Sequence, residues 1–332
     1  MLRFIVRRVA IAIPLLFIIS IISFAIILLP PGSYVETYVS NLEELGYKMN
    51  EGEIQALYRR YGLDRPEVEQ YFIWMRNFLF EGDMGRSFIY ERPVKDVILE
   101  RLPTSMAISL VSLSLTWLIA LPVGIYSALR QHSLIDYIAT FIGIIGLAIP
   151  SFLLALVLAY LVFANTGRAI TSLFSAQYKD APWSWDKLRD LLSNVWLPVL
   201  VIGITGTASL IRILRATLLD EKNKQYVVAA RAKGLRERNL IMKYPVRVAI
   251  NPLISTIGWT LPFIVSGEII VSQVLGLEAL GPVLLSAALG EDMYLVGSIV
   301  MILSTLTVIG TLLSDILLAQ VDPRIRFEKT RV

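Results

Sequence analysis

The chain has 332 residues, 55% of them hydrophobic and 17% charged, and a formal net charge of +4. That apolar share exceeds what a soluble domain carries and is gathered in long runs, so the fold class is an all-α polytopic membrane protein. No cysteine and a single histidine, His132, exclude disulfides, thiol catalysis and a cysteine- or histidine-based metal centre.

Residues 1–8 are basic, with Arg3, Arg7 and Arg8, and residues 9–35 carry no charge. A signal peptide has a shorter core and a small-x-small cleavage site; here Leu29-Pro30-Pro31-Gly32 ends the run. Residues 1–35 are therefore predicted to be a retained first span with its N-terminus inside. Residues 36–101 follow, with thirteen acidic and nine basic residues. Alternation places them outside the cytoplasm as a small extracytoplasmic domain. Within them, 53–61 is predicted helical and 62–66 a turn, with Pro66 in the first turn of the next helix. Tyr71, Phe72, Met75, Phe78 and Leu79 form an apolar stripe at helical spacing. Gly82-Asp83-Met84-Gly85 is a second turn. This domain caps the outer ends of the spans, and its exposed residues are a candidate docking surface for a binding protein.

Residues 102–320 read as five further spans, at about 102–129, 137–167, 191–211, 248–275 and 293–318. Pro122 and Gly124 are expected to kink or break the second span, and Pro150-Ser151 sits near the middle of the third. Pro150 is either a packing irregularity or part of a flexible pathway wall. The outer loop 168–190 carries Trp183 and Trp185, suited to the headgroup level. Gly203 and Gly206 in the fourth span allow close helix approach. Glu268 lies well inside the fifth run. An intramembrane carboxylate is costly, so it either faces the bundle interior or reaches water near the outer interface. Gly276 to Pro282 is an outer turn, Asp292 precedes the sixth run, and 321–332 is a cytoplasmic tail. Six spans place both termini in the cytoplasm, and the short basic segments agree with that orientation.

Residues 212–247 form the most basic loop, with ten Lys or Arg and three acidic residues, and lie between the fourth and fifth spans on the cytoplasmic side. Tyr226, Ala229, Ala230 and Lys233 are spaced i, i+3, i+4, i+7, which predicts a short helix with a small-residue patch. Gly234 is placed to end it with positive φ. The loop has no nucleophile–base pair and the chain has no Gly-x-x-x-x-Gly-Lys-Ser/Thr string, so the pattern suits insertion into a partner's groove and the chain is read as not an enzyme.

Ala229-Ala230-x-x-x-Gly234 resembles the EAA loop of ABC importer permeases, and Tyr226-Val227…Ala230-Arg231-Ala232-Lys233-Gly234-Leu235 resembles their dipeptide/oligopeptide branch. Val228 stands where the general motif has Glu, and Arg236 where the branch often has a Ser able to cap the next helix. Residues 61–88, Lys243-Tyr244-Pro245 and the terminal Asp322-Pro323-Arg324 extend the resemblance, with Tyr244 in place of the family's usual His. The family more often has Glu at the position of Ser272, so Glu268 reads as that carboxylate displaced by one turn on the same face.

The resemblance implies that Tyr226, Ala229, Ala230, Arg231, Lys233, Gly234 and Leu235 couple the chain to an ATPase, with Ala229 and Ala230 at the contact and Arg231 and Lys233 facing its acidic residues. It implies Glu268, Ser272 and Pro150 as pathway residues. It also implies a second homologous permease forming a heterodimer, two ABC ATPase subunits that hold the ATP and Mg, and an extracytoplasmic solute-binding protein. This chain would bind no cofactor and no nucleic acid, and would sit in a prokaryotic cytoplasmic (inner) membrane. Peptides are the expected solute, with oligosaccharides or nickel complexes as alternatives within the same architecture. The alternative of another class, a stand-alone secondary transporter, needs charged groups along its path, and only Glu268 qualifies.

Overall fold

The computed structural model describes residues 2–28, 35–36, 39–40, 43, 46–61, 63–167, 172–175, 177–179, 181–257 and 269–321. All the elements among them are helices: α1 (Leu2–Ile27), α2 (Glu51–Tyr61), α3 (Glu67–Arg76), α4 (Val94–Leu129), α5 (Leu134–Ala148), α6 (Ser151–Thr166), α7 (Trp185–Glu221), α8 (Gln225–Ala232), α9 (Glu237–Lys243), α10 (Pro245–Ala249), α11 (Ile269–Val274), α12 (Leu280–Leu289) and α13 (Met293–Val321). Four, α1, α4, α7 and α13, are long and apolar enough to cross a membrane, and a fifth crossing results if α5 and α6 count together. The fifth span expected at 248–275 falls partly outside the described residues, as do Glu268 and the tail.

The two longest helices outrun their uncharged runs. α7 has 37 residues and rises about 55 Å, against a hydrocarbon thickness of roughly 30 Å. It is therefore longer than a crossing needs, and its charged Glu221 end lies outside its apolar stretch. Ser184 starts α7 by accepting a hydrogen bond from the Lys187 amide at 3.2 Å. α4 lies along α7 in the most extensive helix pair. Ser105, Ser109, Ser112, Thr116 and Ala120 recur every three or four residues on α4 and are all buried. This seam of small side chains lets the backbones approach closely. Thr116 donates to the Gly203 carbonyl at 3.3 Å. Pro122 lies inside the unbroken α4, so the expected break there does not occur.

The break comes at Pro150. α5 and α6 meet at 103°, where a single span was expected. Proline disfavours the helical region for the residue before it, and Ile149 is extended, with φ −85° and ψ 124°. Pro150 caps α6.

α1 packs on α13, with Phe24 and Ile27 in one core with Leu295 and Ile299. α3 joins this core through Tyr71 and Trp74, which are buried, whereas Phe72 and Leu79 of the expected stripe are each 60% exposed. Tyr71, Met75 and Phe78 of the stripe thus pack in the core as predicted, while Trp74 takes part in place of Phe72 and Leu79. Tyr71 and Ser20 share a hydrogen bond of 2.7 Å, and Pro66 sits just before the helix, at its cap.

Candidate functional site

At the Glu221 end of α7 the chain folds into a helical hairpin. Residues 222–224 make a short joint, α8 follows, and Gly234 turns the chain with φ +78°. No atom lies within 4 Å of a Cβ built there, so the backbone conformation alone calls for glycine. Arg236 precedes α9 and makes no side-chain cap bond, in line with the missing Ser. α9 then folds back on α8. Val227, Ala230 and Leu240 are buried together, with Ile241 and Tyr244 against them.

Two residues of the expected contact are engaged within the hairpin itself. Ala230 is buried against α9, which covers that side of α8. The Arg231 guanidinium, which stays half exposed, binds Glu237 of the same hairpin through two hydrogen bonds, of 2.6 and 3.0 Å. The hydrogen bond from Arg231 holds the Glu237 carboxyl below the usual carboxylate range, and Glu237 in turn raises Arg231. The face left exposed carries Tyr226, Val228, Ala229, Lys233 and Leu235. Of these, Tyr226 presents its ring, while its hydroxyl donates to Glu221 at 2.5 Å.

The hairpin is joined to the long helices. Leu214 and Leu218 of α7 share a core with Ala120 and Ala128 of α4 and with Val246 and Ala249 of α10. Lys222 donates to the Ala128 carbonyl at 3.2 Å, and Thr217 donates to the Ala249 carbonyl at 3.2 Å. Arg215 of α7 binds Asp136 of α5 with bonds of 2.8 and 3.0 Å. Asp136 is almost fully enclosed and also accepts from the His132 amide at 3.0 Å. At the same end, Arg8 of α1 pairs with Asp315 of α13 at 3.0 Å. Arg247 donates to the Val321 carbonyl at 3.0 Å. The hairpin region is therefore linked to α4, α5, α7 and α13 through packed side chains and paired charges.

Two of the three expected pathway residues, Pro150 and Ser272, lie among the described residues. Pro150 marks the sharp bend between α5 and α6. Ser272 is fully enclosed, and its hydroxyl has no partner among the described residues. Glu268 lies outside the described residues. Among the described residues, no group of three or more His, Cys, Asp or Glu is arranged to hold a metal.

Two acidic residues organise the opposite end. Asp292, fully buried before α13, accepts from Ser87 Oγ at 2.5 Å and from the Phe88 and Ile89 amides at 2.8 and 3.3 Å. Next to it, Gly85 at φ +88° would place a Cβ only 2.5 Å from the Tyr294 ring. The segment before α4 is thus clamped to the start of α13. Glu278, in the turn after α11, pairs with Lys179 at 2.6 Å and with Arg101 at 2.9 Å. The Lys179 hydrogen bond, with Arg101 beside it, holds the Glu278 carboxyl below the usual range against the opposing effect of burial. The loop ending at α7 is further fixed by Lys187, which lies over the Phe174 and Trp183 rings at 5.0 and 5.6 Å. The sequence signalled these only as isolated charges beside apolar runs.

A bundle of long apolar helices with a packed hairpin at one end has the build of a membrane-embedded subunit. Residues 120–327 match the family described as binding-protein-dependent transport system inner membrane component, and residues 1–110 match the family's N-terminal region. The chain belongs to that family and is a multi-pass membrane permease. Among its relatives, the oligopeptide transport system permease protein AppB of Bacillus subtilis (strain 168) is 33% identical over 328 residues, 98% of this chain and all of its own. The oligopeptide transport system permease protein OppB of Haemophilus influenzae is 30% identical, covering 98% of this chain and all of its own. A putative peptide permease protein of Brucella suis is 29% identical over 98% of this chain and 99% of its own.

Proposed function

We propose that this chain is one of two permease subunits of an ATP-driven importer that takes up peptides delivered by a solute-binding protein. The observation that carries the reading is the α8–α9 hairpin, anchored to the long helices and exposing Tyr226, Val228, Ala229, Lys233 and Leu235 for a partner's groove. The peptide assignment draws support from the relatives, which are named as oligopeptide and peptide permeases and match along nearly their whole length.

In this reading the chain crosses the membrane six times, with both termini and residues 212–247 in the cytoplasm and residues 36–101 outside. A second, homologous permease completes the translocation path as a heterodimer. Two ATPase subunits hold ATP and Mg and grip one such hairpin each, while this chain binds no nucleotide. Glu268 faces the path, Pro150 lets its wall bend, and enclosed Ser272 belongs to the packing behind. Closure of the ATPases moves α8, and the anchored hairpin turns that movement into rotation of the spans. Such coupling requires hairpin contacts that differ in strength between inward- and outward-open states.

The test is co-purification with the ATPase subunits, followed by uptake of a labelled pentapeptide into proteoliposomes holding the full complex and binding protein. ATP-dependent uptake that needs the binding protein is expected. Uptake without ATP, driven by an ion gradient, overturns the reading. For the orientation, a cysteine at exposed Glu69 should react with an impermeant maleimide in intact cells, since the chain has no other cysteine. Reaction only after permeabilisation reverses the topology.

A further inference from the structure

The hairpin meets α7 across the joint 222–224 and meets α10 across Tyr244. Movement delivered to α8 passes directly along the chain to α7 only if the first joint does not bend; the α10 side offers a second route, through the core that Val246 and Ala249 share with Leu214 and Leu218. Turns of this length, away from packed helices, are the natural hinges of a chain. The Lys224 amide donates to the Glu221 carbonyl at 3.2 Å across this joint, and Lys222 and Asn223 bond the Ala128 and Leu219 carbonyls, but among the described residues one side chain reaches from α7 into α8. Glu221, the last residue of α7, is 8% exposed. One carboxylate oxygen takes the Lys224 ammonium and the other accepts from the Tyr226 hydroxyl at 2.5 Å. The two partners lie at and just past the far side of the joint, so the carboxylate ties the end of α7 to the first turn of α8. Among the described residues, the other junction, at Tyr244, shows no carboxylate joining its two sides: Lys243 lies over the Tyr244 ring at 5.8 Å.

We infer that Glu221 is a positioning residue that latches α8 to α7, so that an ATPase stroke on the hairpin is delivered to the spans and not taken up by bending at 222–224. This rests on the importer reading above. The latch touches neither nucleotide nor solute, and Glu221 is not part of the exposed face of α8. Its effect therefore belongs to transmission and not to docking. Tyr226 links the two functions, because its ring lies on the exposed face while its hydroxyl completes the latch. In the latch the carboxylate side is enclosed, at 11% side-chain exposure, although Lys224 is 55% exposed, and charge-assisted bonds are the shorter and stronger kind; the Arg231–Glu237 pair is solvated on both sides, 48% and 54% exposed.

The experiment compares wild type, Glu221→Ala, Tyr226→Phe and the exchange Glu221→Lys/Lys224→Glu in the reconstituted full complex. Three quantities are read: ATPase co-purification, ATP hydrolysis and pentapeptide taken up per ATP. For Glu221→Ala, co-purification and hydrolysis at the wild-type level are expected, with uptake per ATP reduced roughly tenfold or more, the scale set by losing charge-assisted bonds. Tyr226→Phe should show a smaller loss, and the exchange should recover a substantial part of the ratio. Spin labels at Ala216→Cys and Arg238→Cys, both exposed positions, should give a broader distance distribution in Glu221→Ala than in wild type. A merely structural role would lower the amount of complex and leave its uptake per ATP unchanged. An unchanged ratio, an unchanged distance distribution, or loss of ATPase co-purification in Glu221→Ala each overturns the latch. Failure of wild type to bind the ATPase overturns the importer reading instead.

Discussion

Replacing Leu240 by alanine should free α8 from α9 while leaving the membrane helices intact. Leu240 is fully enclosed in a core whose other buried members are Val227 and Ala230. Buried Leu→Ala changes cost about 2–5 kcal/mol, with the larger values where the site cannot collapse. This core is small and bordered by solvent, so collapse is easy and about 2–3 kcal/mol is expected. A local opening favoured by that much raises its equilibrium constant about 30- to 150-fold. Among the described residues, the remaining ties are the partly buried Ile241 and Tyr244 contacts and the Arg231–Glu237 pair, which is solvated and screened by salt. Hydrogen exchange on the purified permease should show that increase for amides in 225–243 and no change in α4 or α13. ATPase co-purification should fall in parallel. Arg231→Ala should change exchange only slightly. Equal exchange in Leu240→Ala and wild type, or a larger effect from Arg231→Ala, would refute the view that packing, and not charge, shapes the docking hairpin.

Gly234→Ala should cost about 1–2 kcal/mol, because φ is +78° although there is room for the methyl group; Gly234→Asn should be milder, as read by hydrogen exchange of α8 and α9. Asp292→Ala leaves Ser87 and the Phe88 and Ile89 amides without their acceptor, a loss of roughly 1–3 kcal/mol per buried donor, and should lower the melting temperature of the detergent-solubilised protein more than Glu278→Ala does. The Glu278 carboxyl is held below its usual 4.5, so its pairing with Lys179 and Arg101 stabilises the fold above that pH and is lost as pH falls through the depressed value. The melting difference between wild type and Glu278→Gln should be full at pH 7 and shrink as the medium is acidified below 4.5; a difference that grows on acidification contradicts the assignment.

Uncharged runs mark the hydrocarbon layer and not the ends of helices, which is why α4 starts at Val94, among Lys95, Asp96, Glu100 and Arg101, while the apolar run starts at 102. Proline was legible as a residue but not in its effect. Pro122 sits in a helix supported along its length by α7, whereas Pro150 separates two segments that each pack on α7 independently. The spacing of Tyr226, Ala229, Ala230 and Lys233 correctly indicated a short helix and Gly234 its end. Which face of α8 stays open depends on Leu240 and Tyr244, and only the folded hairpin brings them to Val227 and Ala230. α12 was hidden because its ten residues are too few to stand out from the neighbouring runs, and Asp292 because its partners lie more than two hundred positions earlier.

That last separation bears on biosynthesis. Ser87 and Asp292 are 205 residues apart in sequence. At roughly 5–20 residues per second, a ribosome needs about 10–40 s to deliver the acceptor after the donors have emerged. During that interval the 87–89 backbone must rely on water or transient partners. A nascent chain stalled before residue 292 lacks this tether, so an antibody or protease that recognises the unclamped 83–93 segment would report whether the final helix has arrived.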